Sequence, residues 1–157
     1  MSELVIIFLA TRLHIFILLI GGTFALFISK SKRKKLFWVT AVTLPVSFLV
    51  SRIVSTFYYN PRPFVVDDSS SLLFHIADNG FPSDHMLLVS TIAVIVLMFN
   101  RPLGIILLVL SSLVGLGRVL SNVHHSIDIL GSVVIATVAI LVARVVTNKF
   151  FLEKYET

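Results

Sequence analysis

Five long apolar stretches, separated by polar segments, dominate the pattern along the chain. A transmembrane helix needs about 20 mostly apolar residues, and each stretch reaches or approaches that length. The predicted spans cover residues 4–29, 36–58, 84–100, 103–121 and 126–147. No repeat, low-complexity tract or linker divides them. The pattern therefore predicts an all-α, polytopic transmembrane bundle of about five spans, forming a single domain over residues 1–157.

Composition supports a membrane protein. The chain is 57% hydrophobic and only 13% charged, whereas soluble domains carry about 25% charged residues. It has no cysteine, which removes disulfides and thiolate metal sites. The first apolar stretch is too long for a cleavable signal peptide and is interrupted by Arg12 and His14, so we expect a retained helix.

The positions of the basic residues predict the orientation in the membrane. The net charge is +5, but nucleic acid is not indicated, because the cations cluster near helix ends. Five of the thirteen Lys and Arg residues lie in KSKRKK at 30–35, and four more are Arg101, Arg144, Lys149 and Lys154. The positive-inside rule places them on the cytoplasmic side. This predicts an outer N-terminus, a cytoplasmic C-terminus, and outer connectors over residues 59–83 and 122–125. The basic cluster at 30–35 could also contact anionic lipid.

The first outer connector begins and ends with candidate phosphate-binding groups. In FYYNPRPF at 57–64, prolines on both sides of Arg62 restrict the backbone and form a stiff turn. The alternative is an interfacial aromatic belt with a snorkelling arginine. In FPSDH at 81–85, Pro82, Ser83 and Asp84 form a helix-start signal. A helix N-terminus can bind phosphate through free N–H groups, although ordinary capping, with His85 at the interface, also fits.

The second outer connector adds a histidine and carboxylate pair. His124 and Asp128 are four residues apart, so a helix stacks them on one face. The carboxylate can accept one ring N–H and leave the other nitrogen free as a nucleophile or base. Arg118 precedes them, and arginine makes bidentate contacts to phosphate oxygens.

Together these residues match the requirements of phosphoryl transfer, which depends on positioning and charge stabilisation, and they require no metal or other cofactor. Two other classes stay open. Buried Arg, His and Asp residues can form an ion relay in a small transporter. His85, His124 and Asp128 could instead ligate zinc in a hydrolase.

The same residues resemble a known family. Three segments resemble the three-part signature of the type 2 phosphatidic acid phosphatase superfamily. They are Arg62-Pro63, then Pro82-Ser83-Asp84-His85, then Arg118 with His124 and Asp128. The resemblance covers residues 52–131. Within the family, FHIADNGFPSDH at 74–85 and the YNPRPF segment look most like the bacitracin-resistance branch of undecaprenyl-diphosphate phosphatases.

The resemblance implies a role for each residue. His124 would be the nucleophile that forms a phosphohistidine, and Asp128 would orient it. His85 would protonate the leaving group and later activate water. The phosphate would be bound by Arg62, Ser83, Arg118 and the backbone amide of Asp84.

It also implies a substrate and a location. The expected reaction is hydrolysis of undecaprenyl diphosphate to undecaprenyl phosphate and phosphate, at the outer face of a bacterial cytoplasmic membrane. Phosphatidate or phosphatidylglycerol phosphate are alternative lipid substrates. A homologue that binds polyprenyl phosphates without turnover is a further alternative.

The chain departs from the family pattern at several positions. Ser55 stands where the first motif has lysine, and Arg52, one helical turn earlier, is the candidate replacement. Asp84 replaces a glycine, and Gly117 replaces the serine before the third-motif arginine. The family core has six spans, so five predicted spans imply that the first is missing.

Other polar residues receive looser predictions. His75, Asp78 and Asn79 precede the second motif and are expected to order its loop, and His125 is expected near the interface. Arg12 and His14 lie inside the first span; they could snorkel, line a cavity or contact a lipid diphosphate.

Overall fold

The computed structural model describes residues 1–152 and is helical throughout its regular structure. The helices are α1 (Glu3–Thr11), α2 (Leu13–Phe27), α3 (Lys30–Phe57), α4 (Pro63–Val66), α5 (Asp84–Phe99), α6 (Arg101–Leu120) and α7 (Ser126–Leu152). The all-α bundle is thereby confirmed. Lys154, which was predicted to lie on the cytoplasmic side, falls outside the described residues.

Four helical segments are long and apolar enough to cross a membrane. They are Glu3–Phe27, Lys30–Phe57, Arg101–Leu120 and Ser126–Lys149. The helix predicted as the third span, α5, has 16 residues and is about 24 Å long, which is shorter than the hydrocarbon core of about 30 Å. It ends at Phe99 because Asn100 caps α6, its side chain accepting a hydrogen bond from the Leu103 N–H at 3.1 Å.

Helix α5 lies at the centre of the bundle. It packs against α2, α3, α6 and α7, while the first span packs against α5 and α6. One apolar cluster joins α2, α5 and α6 around Ile17, Val89 and Leu107, all fully buried. Many large apolar side chains point outward instead, among them Phe27 and Phe57, as expected of a surface that faces lipid.

Two local predictions differ from the structure. The basic segment at 30–35 was expected to be a connector, but it forms the first turns of α3, because Lys and Arg are good helix formers. The first stretch was expected to be one helix, but it is interrupted at Arg12, between α1 and α2. Arg12 is exposed there, as a snorkelling side chain requires.

Candidate active site

A cavity of about 330 Å³ opens at one end of the bundle. It lies among the C-terminal ends of α3 and α6, the N-terminus of α5, and the connectors before α5 and α7. Its lining consists of Arg52, Ser55, Arg62, His75, Asp78, Asn79, Phe81, Pro82, Asp84, His85, Arg118 and His124. The prediction that the two connectors share one face of the bundle is confirmed. Ser83 and Asp128 do not line the cavity, and both are fully buried.

His124 lies between two arginines and a carboxylate. Its Nε2 is 3.4 Å from Arg62 Nη1 and 3.3 Å from Arg118 Nη2. Because guanidinium N–H groups only donate, Nε2 is the acceptor and the ring proton is on Nδ1, which lies 3.3 Å from Asp128 Oδ2. Burial lowers the pKa of His124, and the two arginines add to this effect against the raising effect of Asp128. The ring is therefore neutral, and its Nε2 lone pair can act as a nucleophile or base.

Asp128 is held by two further donors. Asn60 Nδ2 donates to Oδ1 at 2.7 Å, and the backbone N–H of His125 donates to Oδ2 at 2.8 Å. The side chain of His125 turns away, with Nε2 3.1 Å from the carbonyl oxygen of Pro61. Asn60 received no role from the sequence, although it lies within the YNPRPF segment; nothing local indicates a partner 68 residues away.

The two arginines are buried and held by the connector. Arg62 Nε donates to Asp78 Oδ1 at 2.7 Å, and its Nη1 donates to the carbonyl oxygen of Val123 at 2.9 Å. Arg118 Nη2 donates to His75 Nε2 at 2.6 Å. Among the described residues, Arg118 Nε is buried and has no hydrogen-bond partner.

The helix start predicted at FPSDH is confirmed, but Ser83 does not cap it in the ordinary way. Helix α5 begins at Asp84, and the Ser83 side chain makes no capping hydrogen bond. Its hydroxyl is buried without a partner in the described part of the chain. The Ser83 backbone is fixed instead, since its carbonyl oxygen accepts from Ser132 Oγ at 2.9 Å and its N–H donates to the carbonyl oxygen of Asp128 at 3.3 Å.

Arg52, the candidate replacement for the lysine of the family motif, lies at the C-terminal end of α3. It lines the cavity, and its Nη2 donates to Asp84 Oδ1 at 2.7 Å, with both side chains more than half exposed. The Ser55 hydroxyl donates to the carbonyl oxygen of Arg52 at 2.8 Å and so faces its own helix. Arg52 is therefore available at the cavity, although part of its charge is offset by Asp84.

His85 lines the cavity and contacts a histidine from the first span. The rings of His14 and His85 meet edge to face, with centroids 4.8 Å apart and planes at 89°. Nδ1 of His14 is buried without a hydrogen-bond partner among the described residues. His14 therefore contacts His85 from behind and does not itself line this cavity, which differs from one of the roles predicted for it.

Gly117 has a packing explanation. A Cβ at this position would lie 2.7 Å from the backbone nitrogen of Ala10 and 2.8 Å from the Cβ of Leu9. A side chain therefore cannot be accommodated while α1 packs against α6. This departure from the family serine reflects contact with the first helix.

Metal ligation has little geometric support. Within residues that the structure describes, no group of three or more His, Asp or Glu side chains is arranged to hold a metal ion. His85, His124 and Asp128 do not form such a group, and both Asp128 oxygens already accept hydrogen bonds.

The fold and the site define a class: an all-helical membrane protein with a buried cluster of histidine, arginine and aspartate at one end of its bundle. The chain belongs to the PAP2 superfamily, whose family model matches residues 38–152. The crystal structure of LpxE from Aquifex aeolicus has a similar fold, with a TM-score of 0.63 and 19% sequence identity over 88% of this chain and 91% of that one.

The relatives that are similar in sequence include two Bacillus proteins. The undecaprenyl-diphosphatase BcrC of Bacillus subtilis (strain 168) is 32% identical over 113 residues, which cover 72% of this chain and 58% of that protein. A Bacillus licheniformis protein named bacitracin transport permease protein BcrC is 28% identical over 139 residues, covering 87% of this chain and 68% of that protein. The chain thus spans 58% of the length of the B. subtilis relative.

Proposed function

We propose that the chain is a lipid phosphatase that hydrolyses undecaprenyl diphosphate through a phosphohistidine on His124. The observation that carries the proposal is the pairing of His124: its Nε2 faces Arg62 and Arg118 at 3.4 and 3.3 Å, and Asp128 lies behind its Nδ1. The undecaprenyl-diphosphatase name of a relative supports the choice of lipid.

The reaction would proceed in two steps. Nε2 of His124 attacks the terminal phosphorus, a P–N bond forms, and the P–O bond to the lipid phosphate breaks while protonated His85 gives its proton to the leaving oxygen. Burial lowers the pKa of His85 to about 4, and a bound phosphate anion would raise it and favour the protonated form. Neutral His85 then takes a proton from water, whose oxygen attacks phosphorus and breaks the P–N bond. The products are undecaprenyl phosphate and inorganic phosphate, and His124 regains its lone pair.

The two arginines would stabilise charge on the phosphoryl oxygens in both steps. Both are buried, and charge stabilisation is stronger in a site that excludes water. The backbone amide of Asp84 would add a donor at the start of α5, and Arg52 would add a cation at the rim. The Ser83 hydroxyl is buried outside the cavity lining, so its predicted phosphate contact requires a local shift at the start of α5.

The first experiment measures phosphate release from undecaprenyl diphosphate by purified protein in detergent. We expect activity that survives EDTA and disappears in His124→Ala, while Asp67→Asn, on the exposed part of the connector, remains active. Loss of activity with EDTA would instead favour zinc chemistry. Lipid binding without release by the wild type would mean that the Ser55 substitution has removed turnover.

Substrate preference needs a separate comparison. Release rates from undecaprenyl diphosphate, phosphatidate and phosphatidylglycerol phosphate should be measured at equal surface concentration in mixed micelles. We expect the diphosphate to be preferred. A higher kcat/KM for either glycerolipid would replace this part of the proposal and leave the mechanism unchanged.

We also propose that the cavity opens at the outer face of a bacterial cytoplasmic membrane, with the N-terminus outside. The basic starts of α3 and α6 lie at the ends of these helices remote from the cavity, and basic ends favour the cytoplasm. The chain has no cysteine, so single-cysteine variants provide a test. A membrane-impermeant maleimide should label Ser70→Cys in intact cells and spare Ser31→Cys; the opposite result would invert the topology.

A further inference from the structure

One short connector segment holds both buried arginines of the cavity. His75 accepts from Arg118 Nη2 at 2.6 Å, and Asp78, three residues later, accepts from Arg62 Nε at 2.7 Å. Neither residue belongs to the three-part signature. Both arginines in turn converge on Nε2 of His124.

The two arginines need other residues to hold them this close together. Two guanidinium groups that approach one nitrogen repel each other, and each long side chain loses rotamer freedom when it is held there. Asp78 offsets the charge of Arg62. His75 supports Arg118 differently, since a ring nitrogen that accepts from a guanidinium is unprotonated. Arg118 therefore keeps its full charge for an anion.

The hydrogen bonds leave particular arginine groups available. Arg62 uses Nε and Nη1, so its Nη2 has no hydrogen-bond partner in the described part of the chain. Arg118 uses Nη2, so its Nη1 likewise has no hydrogen-bond partner there, whereas its Nε is buried. The groups engaged by the connector are thus different from those left for a phosphate.

The loop itself is anchored by other residues. Asn79 Nδ2 donates to the carbonyl oxygens of Ser55 and Tyr58 at 3.1 and 3.0 Å, and its Oδ1 accepts from the backbone N–H groups of Asn60 and Phe81. The side chains of His75 and Asp78 are therefore not needed for these anchors.

We propose that His75 and Asp78 are positioning residues that hold Arg118 and Arg62 in their phosphate-binding orientation before the substrate arrives. The inference rests on the proposed function. Charges that are held in place before the reaction do not have to reorganise during it. This preorganisation is the main source of electrostatic catalysis. Loss of either side chain should therefore lower kcat more than it raises KM.

Paired substitutions distinguish positioning from simple folding. His75→Ala removes the acceptor, whereas His75→Gln retains an acceptor oxygen at similar reach. We expect His75→Ala to lower kcat by about 10- to 100-fold, below the loss seen when an oxyanion donor is deleted outright, and His75→Gln to recover most of it. Asp78→Ala should behave like His75→Ala, and Asp78→Asn should recover only part, because the charge is lost.

Controls and a second readout complete the test. Asp67→Asn makes the same chemical change as Asp78→Asn on an exposed part of the same connector and should leave kcat unchanged. Vanadate inhibition should weaken in His75→Ala in parallel with kcat. Equal losses in His75→Ala and His75→Gln, accompanied by equal drops in Tm, would overturn the proposal, as would full activity in His75→Ala.

Failure of the proposed function would be visible separately. If the wild-type protein releases no phosphate from any lipid, vanadate and inorganic phosphate binding can still be measured by calorimetry. Weaker binding in His75→Ala, restored in His75→Gln, would support positioning of Arg118 in a protein that only binds. Equal binding in all three proteins would overturn it.

Discussion

Gly117 and Ala10 touch through their backbones, because a Cβ on Gly117 would lie 2.7 Å from the Ala10 nitrogen. This contact brings α1 against α6 one residue before Arg118, at the base of the cavity. Small residues at such contacts are the usual means by which membrane helices approach closely.

We predict that Gly117→Ser, which restores the family residue, destabilises this protein. Overpacking of a tight contact costs about 1–3 kcal/mol. Gly22→Ala is the matched control, since a Cβ there meets nothing within 4 Å and replacement of glycine in a helix stabilises by up to about 1 kcal/mol. Thermal unfolding in detergent should show a lower Tm for Gly117→Ser and a higher Tm for Gly22→Ala. An unchanged Tm in Gly117→Ser would mean that α1 does not pack at this position.

Asp128→Asn should abolish most of the activity without unfolding the protein. The amide can present an N–H toward His124 and favour the wrong tautomer; the corresponding change in a serine protease triad costs about 10⁴-fold in kcat. We expect a loss of at least about 100-fold by the same reasoning, measured as kcat for phosphate release. Asn60→Ala, which removes only one donor to Asp128, should cost less. A larger loss in Asn60→Ala would show that Asn60, and not the carboxylate, has the main role.

Arg52 is predicted to serve in place of the missing lysine. Arg52→Ala should lower kcat/KM by about 10-fold, as expected for loss of one partly exposed charged contact, and Ser55→Lys in the same protein should recover part of it. The comparison variant is Arg62→Ala, which should be far more damaging because Arg62 is buried beside His124. If Arg52→Ala is fully active while Arg62→Ala is inactive, Arg52 has no part in phosphate binding.

Stability should fall when the pH falls below about 6.5, the usual pKa of an unperturbed histidine. Burial and the neighbouring Arg118 and Arg62 lower the pKa of His75 to about 4, with His124 adding and Asp78 opposing. The unfolded state then binds more protons than the folded state between these values, so unfolding becomes easier as pH decreases. The Tm should be lower at about pH 5 than at about pH 7.5, with little change above that range.

The matching variant isolates His75. His75→Gln cannot titrate, so its Tm should fall less over the same pH interval. His124 and His85, whose pKa values are also lowered by burial, contribute to the remaining decrease. Identical Tm profiles for the variant and the wild type would contradict a neutral, half-buried His75.

Local signals in the sequence predicted much of the architecture. Apolar length indicated the spans, and Pro82 with Ser83 correctly predicted a helix that begins at Asp84, since both signals depend on neighbouring residues only. The even number of spans between the two polar connectors predicted their meeting at one face. The i,i+4 spacing correctly predicted that His124 and Asp128 pair, but not how: α7 begins at Ser126, so His124 lies in the connector before the helix and not on a shared helical face.

What the sequence by itself determined was therefore the helical class, the helix start at α5 and the residues that gather at one end. Only the tertiary structure decided how those residues are held. Asn60 hydrogen-bonds Asp128 across 68 residues of sequence, His75 hydrogen-bonds Arg118 across 43, and Asp78 hydrogen-bonds Arg62 across 16. The connector that supplies these partners has no hydrophobic periodicity, so its path follows from packing between helices. Contacts between residues distant in the chain depend on that path, which no local pattern records.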